Sequence, residues 1–272
     1  MKTATLYDGT IKVAISDAHH YSVDFTDAKP DGVTTILKVV PKHLLRWVAN
    51  TNYDAMLNRY VARMESGDPF DDSWFRAALL ESKGAYTQNR DTAGDIGSVV
   101  HAFAEECIHL AGDPDFDEHV AQLMPEDKRA QAAATAFLTW LAGTKIRPIA
   151  TERIVFSKRL FYAGTCDLFG QTPDGRYCVV DFKTGSGFYE DQCLQVAAYG
   201  EALEEELRGI EIIDSWIIHL DKQTGKMKPY YIEITKELKK DWEAVRIAWR
   251  AIKRNQVRHK EIRNAAKGTA HD

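Results

Sequence analysis

The chain of 272 residues carries none of the short signatures that would name a chemistry outright. It has no G-x-x-x-x-G-K-S/T phosphate loop, which excludes the common route to ATP-driven work and leaves no nucleotide cofactor to expect. It has no G-x-S-x-G elbow and no H-E-x-x-H pair, so neither a hydrolase serine nor a zinc-protease helix is announced. Cysteine is scarce. Cys107, Cys166, Cys178 and Cys193 form no C-x-x-C pair and sit in apolar surroundings, as reduced buried thiols do. Their spacing fits neither a zinc ribbon nor an iron–sulfur pattern. No apolar run approaches the roughly 20 residues that a membrane helix needs. The first residues, Met1 to Asp8, lack a signal-peptide pattern, so the expectation is a cytoplasmic protein with no membrane partner. A net charge of −5 argues against a broadly basic nucleic-acid coat, yet allows a local basic groove beside acids that hold cations. Internal repeats and low-complexity linkers are also missing.

What is present reads as a globular α/β protein, with 44% hydrophobic residues. Short β-like pieces at 11–15 and 21–25 precede a turn at 27–32. A β-branched run, 33–40, leads to Pro41, which suits the first turn of a helix through Leu44, Leu45, Trp47 and Val48. Tyr53, Met56, Leu57, Tyr60, Val61 and Met64 recur at helical spacing. A third helix covers about 72–83, and the polar stretch 86–95 reads as a loop. The next helix starts near Asp95 or Gly97, and 126–142 forms another. Strands follow at 149–157, 160–170 and 176–183, then a helix near 189–207, strands at 210–220 and 228–234, and a closing helix near 236–264. This order implies helices flanking a mixed sheet. Residues 1–90 read as N-terminal strands and helical additions packed on a core of residues 91–272, the whole forming one continuous unit.

The closing helix has Leu238, Trp242, Val245, Trp249 and Ile252 on one stripe. Its other face carries Lys239, Lys240, Arg246, Arg250, Lys253 and Arg254, with Arg258, Lys260, Arg263 and Lys267 beyond. This is either a solvated amphipathic helix docked on the core or a phosphate-contacting edge.

Chemistry concentrates between Gly164 and Tyr199. Gly164-Thr-Cys-Asp167 and Asp181-Phe-Lys183 fall on strands joined by a Pro173-Asp-Gly175 turn. Side chains alternate along a strand, so Asp181 and Lys183 share a face and Phe182 takes the other. If the strands pair, Asp167 approaches Asp181. Two carboxylates then suit a hard divalent cation such as Mg²⁺, and the lysine can orient water or meet developing charge. The bland alternative is a surface hairpin with a weak Asp–Lys pair. Gln195 and Tyr199, one helical turn apart, either brace Lys183, hold a phosphate or base, or simply pack. His101 and Glu105 share a helix face. His101 is a structural histidine or a nitrogen ligand that suits Mn²⁺ and admits Mg²⁺. The helix start near Gly97 would favour an anion. Glu152 is a further carboxylate near the site or a strand-edge charge. Ser98 is a candidate phosphate contact, and Trp47 and Tyr53 are candidate base-stacking residues.

Taken together, Gly97-Ser-x-x-His101, Gly164-Thr-x-Asp167, Asp181-Phe-Lys183-Thr-Gly and Gln195-x-x-x-Tyr199 resemble the RecB-like and Cas4-like branch of the PD-(D/E)XK nuclease superfamily. Gly32-Val-Thr-Thr-Ile-Leu37, Pro41-Lys and Leu45-x-Trp47 are similar to the start of mitochondrial genome-maintenance-type exonucleases and their phage relatives. The resemblance spans about residues 32–200. It implies a restriction-endonuclease-like core holding one or two Mg²⁺ or Mn²⁺ ions through His101, Asp167, Asp181 and the Phe182 carbonyl. Lys183 would be the catalytic lysine, with Gln195 and Tyr199 positioning it or the DNA. Asp181 stands where many members carry Glu, which shortens the reach by one methylene. The four cysteines of Cas4 relatives have no counterpart at matching positions, so no iron–sulfur cluster is expected. The implied activity is a metal-dependent DNA exonuclease preferring single strands, working in repair, recombination or phage DNA metabolism. The implied setting is a bacterial or phage-infected cell. A structure-specific endonuclease and a non-catalytic end-binding accessory protein are the alternatives, and a recombinase or single-strand-binding protein is the conceivable partner.

Overall fold

The computed structural model describes residues 1–41, 45–185 and 187–268. Leu44, expected in the helix after Pro41, lies outside the described residues, as does the Trp47 side chain proposed above to stack bases. The chain opens with an antiparallel sheet of β1 (Lys2–Leu6), β2 (Ile11–Ile15) and β3 (Tyr21–Val23). β4 (Asp31–Gly32), in a segment expected to turn, is followed by α1 (Val33–Ile36) and a 3-10 turn (Leu37–Val39). Then come α2 (Leu45–Ser66), α3 (Asp72–His109), α4 (Phe116–Leu123) and α5 (Lys128–Gly143). β5 (Arg147–Ser157), β6 (Tyr162–Gln171) and β7 (Tyr177–Lys183) follow as a meander. α6 (Glu190–Glu206), β8 (Ile212–Leu220), β9 (Met227–Glu233) and α7 (Lys236–Gly268) complete the chain.

β4 to β9 form a six-stranded mixed sheet, in which β7 lies between β6 and β8. β7 runs antiparallel to β6 and parallel to β8. Its run Cys178–Phe182 is buried on both faces, which is why it reads as a continuous apolar strand instead of an alternating one. α6 and α7 cover one face, where Tyr162, Val179, Tyr199 and Trp242 pack together. α3 and α5 cover the other, around Phe103, Phe137, Trp140 and Phe182. The N-terminal sheet docks through Val13 and Tyr21 onto Ile154, Phe156 and Ala163. The expected mixed sheet flanked by helices is therefore observed.

Three local expectations fail. Residues 86–95 are not a loop, because α3 runs unbroken from Asp72 to His109. Consequently no helix starts near Gly97, and the anion-favouring terminus expected there does not exist. On α7, Arg246 is 7% exposed and faces the core, not the solvent, while Ile252 is 41% exposed and falls off the buried stripe.

Candidate active site

The site lies where backbone pairing along one edge of β6 lapses. β5 runs along the far edge of β6 from Arg147↔Gln171 to Ser157↔Tyr162, with the ladder interrupted at Asp167. On the near edge, β7 reaches only to Leu168↔Val180, and β4 covers only Tyr162 and Ala163. Among the described residues, Gly164 to Asp167 therefore have no strand partner on that edge. Asp167 uses the gap. Its Oδ2 accepts the Phe182 amide N–H at 2.7 Å, replacing the ladder bond that the register would have continued. Its Oδ1 faces His101 Nδ1 at 3.4 Å.

The alternation along β7 then sorts its last residues. Phe182 turns inward and meets Phe137 and Trp140 edge-on, with ring centroids 5.2 and 5.0 Å away. Asp181 and Lys183 turn to the cleft, where Lys183 is ion-paired with Asp181 Oδ2. Asp181 is fully buried, and its Oδ1 has no hydrogen-bond partner among the described residues. His101 arrives from α3 with its ring edge against Phe182. Glu152, on β5, brings Oε1 to 3.8 Å from His101 Nδ1. One ligand atom each from His101, Glu152 and Asp167 lie within 4.8 Å of one another.

α6 holds the acid strand in place. Gln195 Nε2 donates to the Tyr199 hydroxyl at 2.8 Å. The Tyr199 ring lies so close to β6 that a Cβ on Gly164 would come within 2.7 Å of it. Glycine at this position thus permits the helix to approach the strand three residues ahead of Asp167.

These residues line a cleft of about 590 Å³. Ser98 lines it too, with its hydroxyl donating to the Gly94 carbonyl at 3.2 Å. Arg250, Lys253 and Arg254 do not reach the cleft, and Lys253 is paired with Asp31 at 2.7 Å. The sequence reading missed a whole wall. Lys2, Asp17, His19 and Tyr21 of the N-terminal sheet and its loops face the opening. Lys2 spans it to Glu105 of α3 at 3.7 Å, and the Tyr21 and Thr165 hydroxyls share a hydrogen bond at 3.0 Å. The short apolar alternation of β1 to β3 predicts strands but carries no sign of where the sheet docks.

Charge at the site is divided unevenly. The Asp167 carboxylate outweighs burial and lifts His101 to about 10. Burial alone would raise Asp167, yet the His101 imidazolium, Lys183 and the Phe182 amide hold it below its ordinary range. For Asp181 burial wins over the pull of Lys183, and repulsion from Asp167 adds to it, so it rises to about 6. Lys183 is held charged because Asp181 and Asp167 outweigh its own burial.

Residues 70–270 match the PD-(D/E)XK nuclease superfamily. No curated protein matches the chain. Among solved structures, an exonuclease candidate from Eubacterium rectale is similar at 15% identity and a TM-score of 0.39, over 60% of this chain and 66% of that one. A protein named SSO0001 is similar at 11% identity and a TM-score of 0.31, over 56% of this chain and 74% of that one. The chain spans just under two thirds of the length of the first, and neither likeness is close enough to carry an argument.

Proposed function

The chain belongs to the PD-(D/E)XK nuclease superfamily, and from that membership we propose that it is a metal-dependent exonuclease hydrolysing phosphodiester bonds from DNA ends, with a preference for single strands. The observation that supports this most is the meeting of Asp167, Asp181, Lys183 and His101, drawn from two strands and a distant helix, at one cleft.

The donors fit a divalent cation. An imidazole nitrogen and carboxylate oxygens are the set that Mn²⁺ and Mg²⁺ accept. Among the described residues Asp181 also leaves a buried oxygen without a hydrogen bond, a cost that a cation would remove. In this reading His101, Asp167 and Asp181 hold one or two ions. The Phe182 carbonyl joins them, since a strand residue directs its N–H and C=O to the same edge and this N–H already points to Asp167. A bound ion would supply Lewis acidity toward the phosphodiester and make water a better nucleophile.

The chain's own groups do the rest. Lys183, kept charged by Asp181, donates hydrogen bonds to the attacking water or to a non-bridging oxygen and does not act as a base. Tyr199, wedged on Gly164 and hydrogen-bonded by Gln195, fixes the strand that carries Asp167. Ser98 contacts the DNA backbone from the cleft wall. The RecB-like placement and the absence of an iron–sulfur cluster belong to the same proposal. Supporting the latter, burial lifts the thiols of Cys107 to about 11 and Cys178 to about 12, away from the thiolate a cluster needs.

The test is incubation with end-labelled linear single- and double-stranded DNA and with circles, in Mg²⁺, Mn²⁺ or EDTA. Linear single strands should shorten fastest with either metal and remain intact in EDTA. Absence of metal-dependent cleavage on every substrate would overturn the proposal, and cleavage of circles would convert it to an endonuclease.

A further inference from the structure

We propose that Glu152 is a metal-holding residue of this site, a third carboxylate that grips the ion from the β5 side. The assignment rests on the metal-dependent reading above and extends it by a residue outside the set that the sequence motifs imply.

Register comes first. Thr151 pairs with Leu168 and Arg153 with Cys166, so Glu152 stands directly opposite Asp167 on the edge of β6 away from β7. In a regular strand pair the two side chains would lie on one face, close but side by side. Here the Glu152 backbone leaves the β region, with φ at +43°, while the residues on both sides keep the ladder. A glutamate in the left-handed region costs about 1–3 kcal/mol and persists only where its surroundings impose it. The outcome of this local distortion is a carboxylate near the Nδ1 atom that Asp167 also faces.

Proximity alone has an ordinary explanation, since Glu152 could merely balance a charged His101. Asp167 already meets that need at the shorter distance. A second observation points to a cation instead. Asp181, buried on the β7 side of the same cleft, presents an oxygen with no hydrogen bond among the described residues. Three carboxylates and an imidazole thus border one space from β5, β6, β7 and α3. Only Asp181 is committed to Lys183. A hard cation takes six or more oxygen or nitrogen ligands and fills the remainder with water. Glu152 supplies a ligand on the side where β7 offers none. Asp181 can then keep its pairing with Lys183 while its second oxygen turns to the ion.

Mn²⁺ binding read by the loss of the free-ion electron paramagnetic resonance signal tests this without reference to catalysis. Wild type is compared with Glu152→Gln, which keeps the shape and removes the charge, and with Glu152→Asp, which keeps the charge and shortens the reach. DNA cleavage and thermal unfolding in EDTA are measured on the same samples. Glu152→Gln should weaken Mn²⁺ binding by about 10-fold or more, with Glu152→Asp between it and wild type. Unfolding in EDTA should be little changed. If Glu152→Gln binds Mn²⁺ as tightly as wild type, the assignment is overturned. If wild type binds no Mn²⁺, the assignment and the metal-dependent reading fall together. If Mn²⁺ binding depends on Glu152 but no DNA is cut, the assignment stands and the nuclease reading falls.

Discussion

Two aspartates, Asp181 on β7 and Asp214 on β8, are both at or below 1% exposure and sit at opposite ends of adjacent parallel strands. At one end Asp214, at the wall of a separate cleft of about 350 Å³, is engaged by its own chain on both oxygens. The Tyr231 hydroxyl donates to Oδ1 at 2.8 Å, and Arg176 faces Oδ2 at 2.9 Å. At the other end Asp181 has Lys183 on one oxygen and, among the described residues, no hydrogen bond on the other. Burying a carboxylate is costly unless its oxygens are satisfied. Both acids hold an ion pair on Oδ2, and neither Oδ2 accepts a hydrogen bond among the described residues; the contrast lies in Oδ1, which is hydrogen-bonded in Asp214 and not in Asp181. On the function proposed above, the difference separates an acid engaged by its own chain from one with an oxygen left to a ligand.

If this contrast is right, the largest effect belongs to the open end. Asp181→Ala or Lys183→Ala should reduce metal-dependent DNA cleavage by at least about 10³-fold, the scale of losing a positioned charge at a reacting phosphate. Circular dichroism should show the fold retained. Cleavage near the wild-type rate in either variant would place the chemistry elsewhere.

Asp181→Asn sharpens the contrast through pH, in EDTA. The folded Asp181 carboxyl is raised from 3.8 to about 6, so the folded chain binds this proton more tightly than the unfolded one. Its effect on stability is therefore most favourable below about pH 4 and is lost as pH climbs to about 6, by up to about 3 kcal/mol. Asp181→Asn removes that titration. The variant's melting temperature should rise relative to wild type across this window. A constant difference between the two would mean that Asp181 ionises in the fold as freely as in water.

Gly164→Ala probes how the open end is built. The new Cβ would lie 2.7 Å from the Tyr199 ring and 3.1 Å from Val33, so strand and helix must part. Overpacking of this kind costs about 2 kcal/mol, and the shift reaches Asp167 three residues on. Denaturant unfolding should show the loss, with cleavage reduced alongside. An unchanged midpoint would mean that the Tyr199 ring is free to move away.

The open end was also the more legible of the two in the sequence. Asp167, Asp181 and Lys183 could be placed because strand alternation is a local rule, and the turn at Pro173-Asp-Gly175 fixed which strands meet. What local rules do not encode was missed. Residues 86–95 hide their helix because most of them are exposed and show no apolar stripe, so only continuity with the buried turns around Ile96 and Val100 marks α3. The two-residue strand β4 exists only through its pairing with Tyr162 and Ala163. Glu152 left its alternatives open because a positive φ at a glutamate has no sequence sign. Arg246 joined the outer face by charge, although it is buried.

The smallest effects should come from the Asp214 end, and they should fall on stability instead of activity. Asp214→Asn keeps the shape but removes the charge that Arg176 faces, and Tyr231→Phe removes one hydrogen bond. Arg176 and Tyr231 are each about half exposed, so water replaces much of what is lost. The expected cost is about 1–2 kcal/mol for Asp214→Asn and about 1 kcal/mol or less for Tyr231→Phe, read as a shift in denaturant midpoint. Their combined effect should be less than the sum, because both act on one carboxylate. DNA cleavage by either variant should stay within a few-fold of wild type at a temperature where both are folded. A collapse in cleavage with stability intact would show that the far end of the sheet also serves the reaction, and the division between an engaged and an open aspartate would no longer hold.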